Sequence, residues 1–216
     1  MSIDPTPDPL STGAATRARL IEVAVRHFAD HGYEAASQRA IQREANVNPA
    51  SAHYHFGSKE AMFRAVVNTY IHDVQEDRVR RHNAIADGLT GHARLKQLLT
   101  AYFTPGIAVA ATPTGFHYAR ILARVQGERQ GQSLTIFEEI VLPVREMFVD
   151  SLARLYPAAP REEVYDLLMT GVTIMAIGAI SARRDLSRPG GIEAEAERVA
   201  TIVSAAFEAL LGPPAH

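Results

Sequence analysis

Apolar residues recur every three or four positions along most of the chain, whereas the strict alternation typical of β-strands is scarce. This spacing places the apolar side chains on one face of an α-helix. In the first such segment, residues 16–31, the apolar stripe consists of Leu20, Ile21, Ala24, Val25 and Phe28. The pattern therefore predicts an all-α protein.

Capping residues and breakers set the expected bounds of the first helices. Gly32 is suited to a left-handed end of the first helix, and Ser37 is a good N-cap for the second. Asn48 can cap a third helix, which Gly57 would end. A long fourth helix is predicted from residue 58 to about residue 81.

Five more helices are expected in the rest of the chain, separated by segments rich in proline and glycine. Their predicted ranges are 92–104, 114–127, 132–156, 161–184 and 192–211. Pro143 lies inside one of them, where it predicts a kink or a break in the backbone hydrogen bonds. The total is about nine helices, and residues 212–216 are expected to fray.

The composition is that of a globular protein, with 47% hydrophobic and 21% charged residues in a chain of 216. The absence of cysteine excludes disulfides and thiolate metal sites. Residues 1–15 are acidic and rich in proline, which predicts a disordered arm rather than a signal peptide. Because no uninterrupted apolar run reaches the length of a membrane span, a soluble, cytoplasmic protein is expected.

Residues 16–66 are predicted to form a small helix-turn-helix unit. Its expected core consists of Phe28, Ile41, Ala45, Val47, Ala52 and Phe56. The helix after Asn48 would then keep one face free to lie in the major groove of DNA. On that face the small side chains of Ala50 and Ser51 allow close approach to base edges, and His53 can donate to a base or a phosphate.

Other side chains of this unit suit contacts with DNA phosphates. Tyr54 and His55 carry donors on amphipathic rings, and Lys59 adds a cation at the start of the fourth helix. A second group opens the preceding helix and would reach the same duplex: Ser37, Gln38 and Arg39. Charge alone does not indicate DNA, because residues 11–60 contain six Lys or Arg against five Asp or Glu. The alternative is a three-helix packing unit without a nucleic-acid partner.

Two segments, FADHGYEAAS (residues 28–37) and NVNPASAHYHFGSKEAMF (residues 46–63), resemble the N-terminal domain of the tetracycline-repressor (TetR) family of transcriptional regulators. In that family the helix equivalent to residues 48–55 reads the operator, and the Tyr-His-Phe step is a signature. The resemblance implies DNA-binding roles for Ser37, Gln38, Asn48, Ala50, Ser51, His53, Tyr54, His55 and Lys59. Asn46, Pro49 and Ala52 replace the family's usual glycine, basic residue and leucine, so the operator sequence and affinity do not follow from the resemblance.

Residues 67–212 are expected to form a larger domain for ligand binding and dimerisation. A single reading helix makes few phosphate contacts, so the family's mode of binding requires two copies on a palindrome. Small residues in 161–184 and an apolar stripe in 192–211 predict a four-helix bundle between two subunits. The alternative is that both helices belong to the core of the monomer.

Aromatic, thioether and aliphatic residues in the middle helices predict a mostly apolar pocket. The candidate ligand-binding residues are Phe103, His117, Tyr118, Ile121, Phe137, Ile140, Met147, Met169 and Thr173. Taken singly, each is better interpreted as a core residue. Residues 117–128 and 142–157 are also similar to TetR members that respond to fatty acyl or other hydrophobic metabolites, which implies a small lipophilic inducer.

Other classes of function have weaker support in the sequence. There is no glycine-rich phosphate loop, nucleophile elbow or His-Glu-x-x-His motif, so an enzyme is not expected. His53 and His55 diverge on a helix, so neither a metal site nor a cofactor is expected. The main prediction is a ligand-responsive regulator, most often a repressor in the family. A helical adaptor for protein partners and a non-catalytic ligand-binding protein remain alternatives.

Overall fold

The computed structural model describes residues 9–128 and 130–215, and no strand occurs in these ranges. The helices are α1 (Pro9–Ala35), α2 (Gln38–Glu44), α3 (Pro49–Phe56), α4 (Lys59–Asn83), α5 (Gly91–Ala110), α6 (Gly115–Gly127), α7 (Gln132–Ala153), α8 (Arg161–Ser181), α9 (Arg183–Leu186) and α10 (Gly191–Leu211). The helix α9 is a single turn of four residues. The other helices of the described chain correspond to those predicted, and the all-α fold is confirmed.

The chain divides into two compact units between Val67 and Asn68, within the length of α4. In the first unit, α1, α2 and α3 enclose a small core with an aromatic cluster at its centre. The rings of Phe28 and Phe63 meet edge to face with centroids 5.0 Å apart, and Tyr33 lies 5.1 Å from Phe63. These buried rings fix the start of α4 against α1.

The first helix is longer than predicted. It begins at Pro9 instead of residue 16, so residues 9–15 of the expected disordered arm are helical, and residues 1–8 lie outside the described residues. Proline suits the first position of a helix, because its missing N–H has no partner there in any case. The predicted end is confirmed, since Gly32 has a φ of 77° and interrupts the regular helix.

Two prolines lie inside helices, Pro105 contrary to the prediction and Pro143 in agreement with it. Helix α5 continues for five residues beyond Pro105 instead of ending before it, and α7 runs through Pro143. An internal proline costs a helix ~3 kcal/mol. In α5 that cost is offset because Tyr102, Phe103 and Ile107 on either side are buried in the core.

The end of the chain is also more ordered than expected. The N–H of Ala215 donates to the Leu155 carbonyl oxygen at 2.7 Å, and the Ala215 carbonyl oxygen accepts from the Gly91 N–H at 3.2 Å. Pro214 is buried beside them. Long-range hydrogen bonds therefore hold the segment that was expected to fray.

Helix α5 is the centre of the second unit, where it packs against α6, α7, α8 and α10. Helix α8 is long and apolar enough to cross a membrane by length and composition alone. It nevertheless carries Asp166 and packs against α5, α6, α7 and α10. Core helices of globular proteins are often as long and as apolar, and α8 is a core helix of the second unit.

The close packing of α8 can be tested at Gly171. A Cβ on this residue would lie 2.5 Å from Cζ of Phe103 on α5 and 2.9 Å from a methyl carbon of Val203 on α10. We expect Gly171→Ala to lower the free energy of unfolding by ~1–3 kcal/mol, because the added methyl group forces packed helices apart. Urea denaturation measures this change.

The matched control is Gly127→Ala at the end of α6, where nothing lies within 4 Å of the added Cβ. Its free energy of unfolding is expected to stay the same or to rise slightly, because alanine favours the helix more than glycine does. Equal destabilisation by the two substitutions would contradict the packing argument.

Candidate nucleic-acid interface and internal cleft

The turn between α2 and α3 is closed by two backbone hydrogen bonds of the Schellman type. The N–H of Asn46 donates to the Arg43 carbonyl oxygen at 3.1 Å, and the N–H of Val47 donates to the Gln42 carbonyl oxygen at 3.0 Å. Asn46, which replaces the family's usual glycine, has a φ of 52° and is thus in the left-handed conformation. Asparagine tolerates this conformation better than most residues, so the turn forms without a glycine.

Helix α3 begins and ends as the sequence predicts. Oδ1 of Asn48 accepts a hydrogen bond from the Ser51 N–H at 2.7 Å, and Pro49 is the first helical residue. Gly57, with a φ of 67°, follows the last residue of the helix. These local signals determine which side chains of α3 point away from the core.

One face of α3 is buried and the other is open to solvent. Ala52 and Phe56 are buried in the first unit, whereas Ala50, His53 and Tyr54 are exposed. The side chain of Tyr54 is 85% exposed, so the fold gains little from its ring. Two further predicted DNA contacts on α3 are half-buried: Ser51 and His55.

The predicted contacts at the start of α2 are accessible as well. Ser37 and Arg39 are exposed and Gln38 is half-buried. Oγ of Ser37 accepts a hydrogen bond from the Ala40 N–H at 3.4 Å, so Ser37 caps α2 as predicted.

Lys59 has a structural role that the sequence did not reveal. Its Nζ donates to the Glu34 carbonyl oxygen at 2.9 Å and lies 4.6 Å from the centroid of the Tyr33 ring. These contacts join the start of α4 to the end of α1. An ammonium group has three donors, so Lys59 can still contact a phosphate, but its removal would also weaken the first unit.

Glu44 joins the end of α2 to α1. Arg26 donates from Nη2 to one carboxylate oxygen at 3.0 Å, and Nε2 of His27 lies 2.7 Å from the other. The His27 hydrogen bond and then the Arg26 hydrogen bond lower the pKa of Glu44. A lowered carboxyl pKa means that this link contributes at neutral pH and is lost only as the pH falls through that pKa.

The predicted ligand-binding residues are distributed through the second unit. Four of them are buried: Phe103, Tyr118, Ile121 and Phe137. The other five are half-buried: His117, Ile140, Met147, Met169 and Thr173. Tyr118 and Phe137 come together at an internal cleft among α4, α5, α6, α7 and α8.

The internal cleft has a mostly apolar wall with several polar groups. The apolar wall includes Leu122, Phe137, Val141, Val172 and Met175. The polar groups are Arg78, Tyr102, Tyr118 and Arg145. The free space in the cleft that the centre of a water molecule can occupy is about 20 Å³, which is enough for one water. Sequence reasoning missed Arg78 and Arg145, because charged residues on helices are usually solvated and nothing local indicates that these are buried.

Both arginines of the cleft are almost fully buried. Arg145 is 2% exposed, and its Nη1 donates to Oε1 of Glu138 at 2.7 Å and to the Tyr165 hydroxyl at 2.6 Å. Arg78 is 5% exposed, and its Nε donates to the Tyr102 carbonyl oxygen at 2.9 Å. The guanidinium carbon of Arg78 also lies 4.0 Å from the Tyr102 ring centroid.

The two helices predicted to form a dimer surface contribute to both the core and the exterior. On α10, Val203 and Phe207 are buried against the second unit's own helices. Three large apolar side chains are exposed: Ile177 on α8 at 56%, and Ile202 and Leu210 on α10 at 41% and 71%. Part of the predicted surface therefore belongs to the monomer core, and the remainder is available to a partner.

An exposed cluster of possible metal ligands occurs on α4. Ligand atoms of His72, Asp73 and Glu76 lie within 4.8 Å of one another. Nε2 of His72 is 3.3 Å from Oε1 of Glu76, which is an ordinary ion pair one helical turn apart when the histidine is protonated.

Two family models match the chain. The model of "Bacterial regulatory proteins, tetR family" matches residues 20–66, and that of "Tetracyclin repressor-like, C-terminal domain" matches residues 100–210, more than half of the chain. The chain belongs to the TetR family of transcriptional regulators. TetR-family proteins bind DNA through an N-terminal helix-turn-helix, act as dimers, and are generally not catalytic.

Curated relatives of this chain include two bacterial transcriptional regulators. The transcriptional regulator BetI of Rhizobium meliloti (strain 1021) is 33% identical over 87 residues, 40% of this chain and 41% of that protein. The transcriptional repressor KstR2 of Rhodococcus jostii (strain RHA1) is 25% identical over 148 residues, 68% of this chain and 69% of that protein. The match to BetI thus covers less than half of that relative's length.

Solved structures of TetR-like regulators share the fold at low sequence identity. A TetR-like regulator from Rhodococcus sp. RHA1 is 16% identical with a TM-score of 0.61, over 92% of this chain and 97% of that one. The regulator FadR from Bacillus subtilis, solved with stearoyl-CoA, is 12% identical with a TM-score of 0.59, over 87% of this chain and 97% of that one. At these identities the likeness establishes the fold alone.

The cap of α3 can be tested at Asn48. We expect Asn48→Ala to lower the free energy of unfolding by ~1 kcal/mol, because the Ser51 N–H loses its acceptor. Asn48→Ser keeps a capping oxygen and is expected to stay close to the wild type. Urea denaturation of the full chain measures both, and an Asn48→Ala protein as stable as the Asn48→Ser protein would contradict the assigned cap.

Proposed function

We propose that this chain is a ligand-responsive repressor that binds a palindromic operator as a homodimer and is released by a small hydrophobic inducer. It acts in the cytoplasm and catalyses no reaction. The observation that carries the proposal is the division of α3 into a buried face and an open face. Ala52 and Phe56 anchor the helix, while Ala50, His53 and Tyr54 are exposed.

The open face of α3 is suited to the major groove. The small side chain of Ala50 lets the backbone approach the base edges and can contact a thymine methyl group. His53 can donate to a base or a phosphate, and the Tyr54 hydroxyl can donate to a phosphate at the groove edge. The remaining proposed contacts are Ser37, Gln38, Arg39, Asn48, Ser51, His55 and Lys59.

A dimer supplies the second reading helix that specific binding needs. Two such helices reach successive major grooves when they lie about 34–36 Å apart. The exposed Ile177, Ile202 and Leu210 support a dimer through α8 and α10, because a partner would remove their apolar surface from water. In this arrangement residues 16–66 bind DNA, and residues 67–212 bind the ligand and the partner.

The inducer is proposed to act from within the second unit. The apolar wall of the internal cleft supports a hydrophobic ligand, as does the fold shared with FadR, which was solved with stearoyl-CoA. An inducer lowers operator affinity only by as much as it prefers the conformation that does not bind DNA, typically ~1–3 kcal/mol.

The DNA-binding proposal is tested with the double variant His53→Ala/Tyr54→Ala. We expect its affinity for a palindromic duplex from beside its own coding region to fall by ~1–3 kcal/mol for each substituted residue, because base and phosphate contacts are lost. Fluorescence anisotropy at several salt concentrations measures the dissociation constants. Lys59 is left unchanged because its contacts with Tyr33 and Glu34 stabilise the first unit.

The control is His72→Ala, which removes an exposed histidine of α4 that belongs to the second unit. It is expected to bind the duplex like the wild type. Circular dichroism should show equal helix content in all three proteins. Undiminished DNA binding by the double variant would show that the open face of α3 does not contact the DNA.

The proposed dimer is tested with Ile177→Glu. We expect this variant to be a monomer at micromolar concentration, where the wild type is a dimer, because the interface cannot bury an unpaired carboxylate without a large cost. Light scattering measures the mass. The control is Leu142→Glu, since Leu142 is 42% exposed but lies on α7. A wild-type monomer, or a dimer of Ile177→Glu, would contradict the assignment.

A further inference from the structure

The internal cleft contains one more positive charge than negative charge. The guanidinium of Arg145 is paired with the carboxylate of Glu138. Arg78 instead donates to two neutral acceptors, the Tyr102 carbonyl oxygen at 2.9 Å and Oε1 of Gln75 at 3.0 Å. Within the described residues Arg78 forms no ion pair with a carboxylate, although it is only 5% exposed. A buried charge without a counter-ion is costly and needs an explanation.

The same cleft holds further donors without acceptors. The Tyr118 hydroxyl and Nε of Arg145 are buried and have no hydrogen-bond partner in the described chain. Burial raises the pKa of Tyr118, so its phenol keeps its proton and remains a donor. Tyr118 is 3% exposed and Arg145 is 2% exposed, so neither group is satisfied by bulk water. The cleft is therefore rich in donors and short of acceptors.

An organic anion would correct both imbalances at once. We propose that the internal cleft binds the carboxylate of an apolar organic acid, with Arg78 supplying the counter-charge and Tyr118 and Arg145 donating hydrogen bonds. This inference rests on the proposed function, for which it names the chemical class of the inducer. Carboxylates accept several hydrogen bonds at once, and bonds that involve ionised groups are the stronger ones.

The rest of the cleft suits the hydrocarbon part of such an acid. Leu122, Phe137, Val141, Val172 and Met175 are apolar and line the same space. Since the cleft has room for about one water, the hydrocarbon part of any such acid has to displace side chains. Met175 is suited to move because its thioether is unbranched and flexible.

The backbone beside Met175 also leaves access to Arg78. A Cβ placed on Gly106 would lie 3.0 Å from Sδ of Met175 and 3.7 Å from Nη2 of Arg78. Glycine thus brings the α5 backbone close to both side chains without filling the space between them. Nη2 is the guanidinium nitrogen that the bonds to Tyr102 and Gln75 do not use.

A purely structural role is the competing explanation for Arg78. Its stacking on Tyr102 at 4.0 Å and its bond to the Tyr102 carbonyl oxygen join α4 to α5. These contacts orient the guanidinium, but neither supplies a negative charge. They would hold the guanidinium in place for an anion. The two roles can be separated with an uncharged ligand, since only a counter-ion role favours a charged ligand over an uncharged one.

The test compares straight-chain carboxylates from hexanoate to hexadecanoate with alcohols of equal length. Isothermal calorimetry is performed on the full-length wild type, Arg78→Met and Tyr118→Phe. We expect the wild type to bind the acids in preference to the alcohols. Arg78→Met should weaken acid binding by at least about tenfold, because the buried counter-charge is gone. Tyr118→Phe should weaken acid binding by less than Arg78→Met does, because it removes one hydrogen-bond donor and leaves the counter-charge in place.

The matched control is Arg80→Met, which removes an exposed arginine of the same helix that pairs with Asp77. It is expected to bind the acids like the wild type. Equal binding of acids and alcohols by the wild type would overturn the proposal, as would undiminished acid binding by Arg78→Met or the absence of binding to any acid in the series. If Arg78 has a structural role alone, Arg78→Met should weaken the binding of acids and of alcohols to the same extent, and that outcome would also overturn the proposal.

Operator binding separates this inference from the function on which it rests. Without ligand, Arg78→Met is expected to bind the palindromic duplex like the wild type. At low concentrations of acid, only the wild-type protein should be released from the duplex. Selective binding of acids by a wild type that binds no DNA would overturn the proposed function and leave this site standing. Operator binding without selectivity for acids would overturn this inference alone.

Discussion

The burial of α5 on nearly all sides is the constraint on which the second unit depends. Its neighbours α6, α7, α8 and α10 can pack against it only if it presents apolar side chains in several directions. That requirement explains why the helix continues through Pro105 despite the lost backbone hydrogen bond. It also places Tyr102 where its ring and carbonyl oxygen can hold Arg78 inside the unit.

The first unit depends on local chemistry, and for that reason the sequence predicted it closely. Ser37 and Asn48 cap helices with their own side chains, and Gly32 and Asn46 take positive φ values. Each of these effects acts over a few residues, so it can be recognised without knowing the fold. The buried and exposed faces of α3 follow directly from where the helix begins and ends.

The features that the sequence did not reveal all involve contacts between distant residues. Ala215 bonds to Gly91 and Leu155, and no local signal predicts that these segments meet. Lys59 has the expected position for a phosphate contact, yet it also bonds to the Glu34 carbonyl oxygen 25 residues earlier. Most of the nine residues predicted to line a pocket are aliphatic, thioether or aromatic, and core residues have the same character. Only packing separates the two roles.

The buried arginines show why such a pocket has to be recognised by its charges instead of its apolar surface. A core optimised for stability alone would place a hydrophobic residue at position 78, since buried ions rarely improve stability over well-packed apolar groups. Arg78 and the unpartnered Tyr118 hydroxyl are both buried polar groups at the same cleft, where a core optimised for stability would have apolar groups. Departures of this kind are expected where a site serves binding more than folding. Because Arg78 lies on α4, the helix within which the two units divide, a ligand that engages it acts on an element that belongs to both.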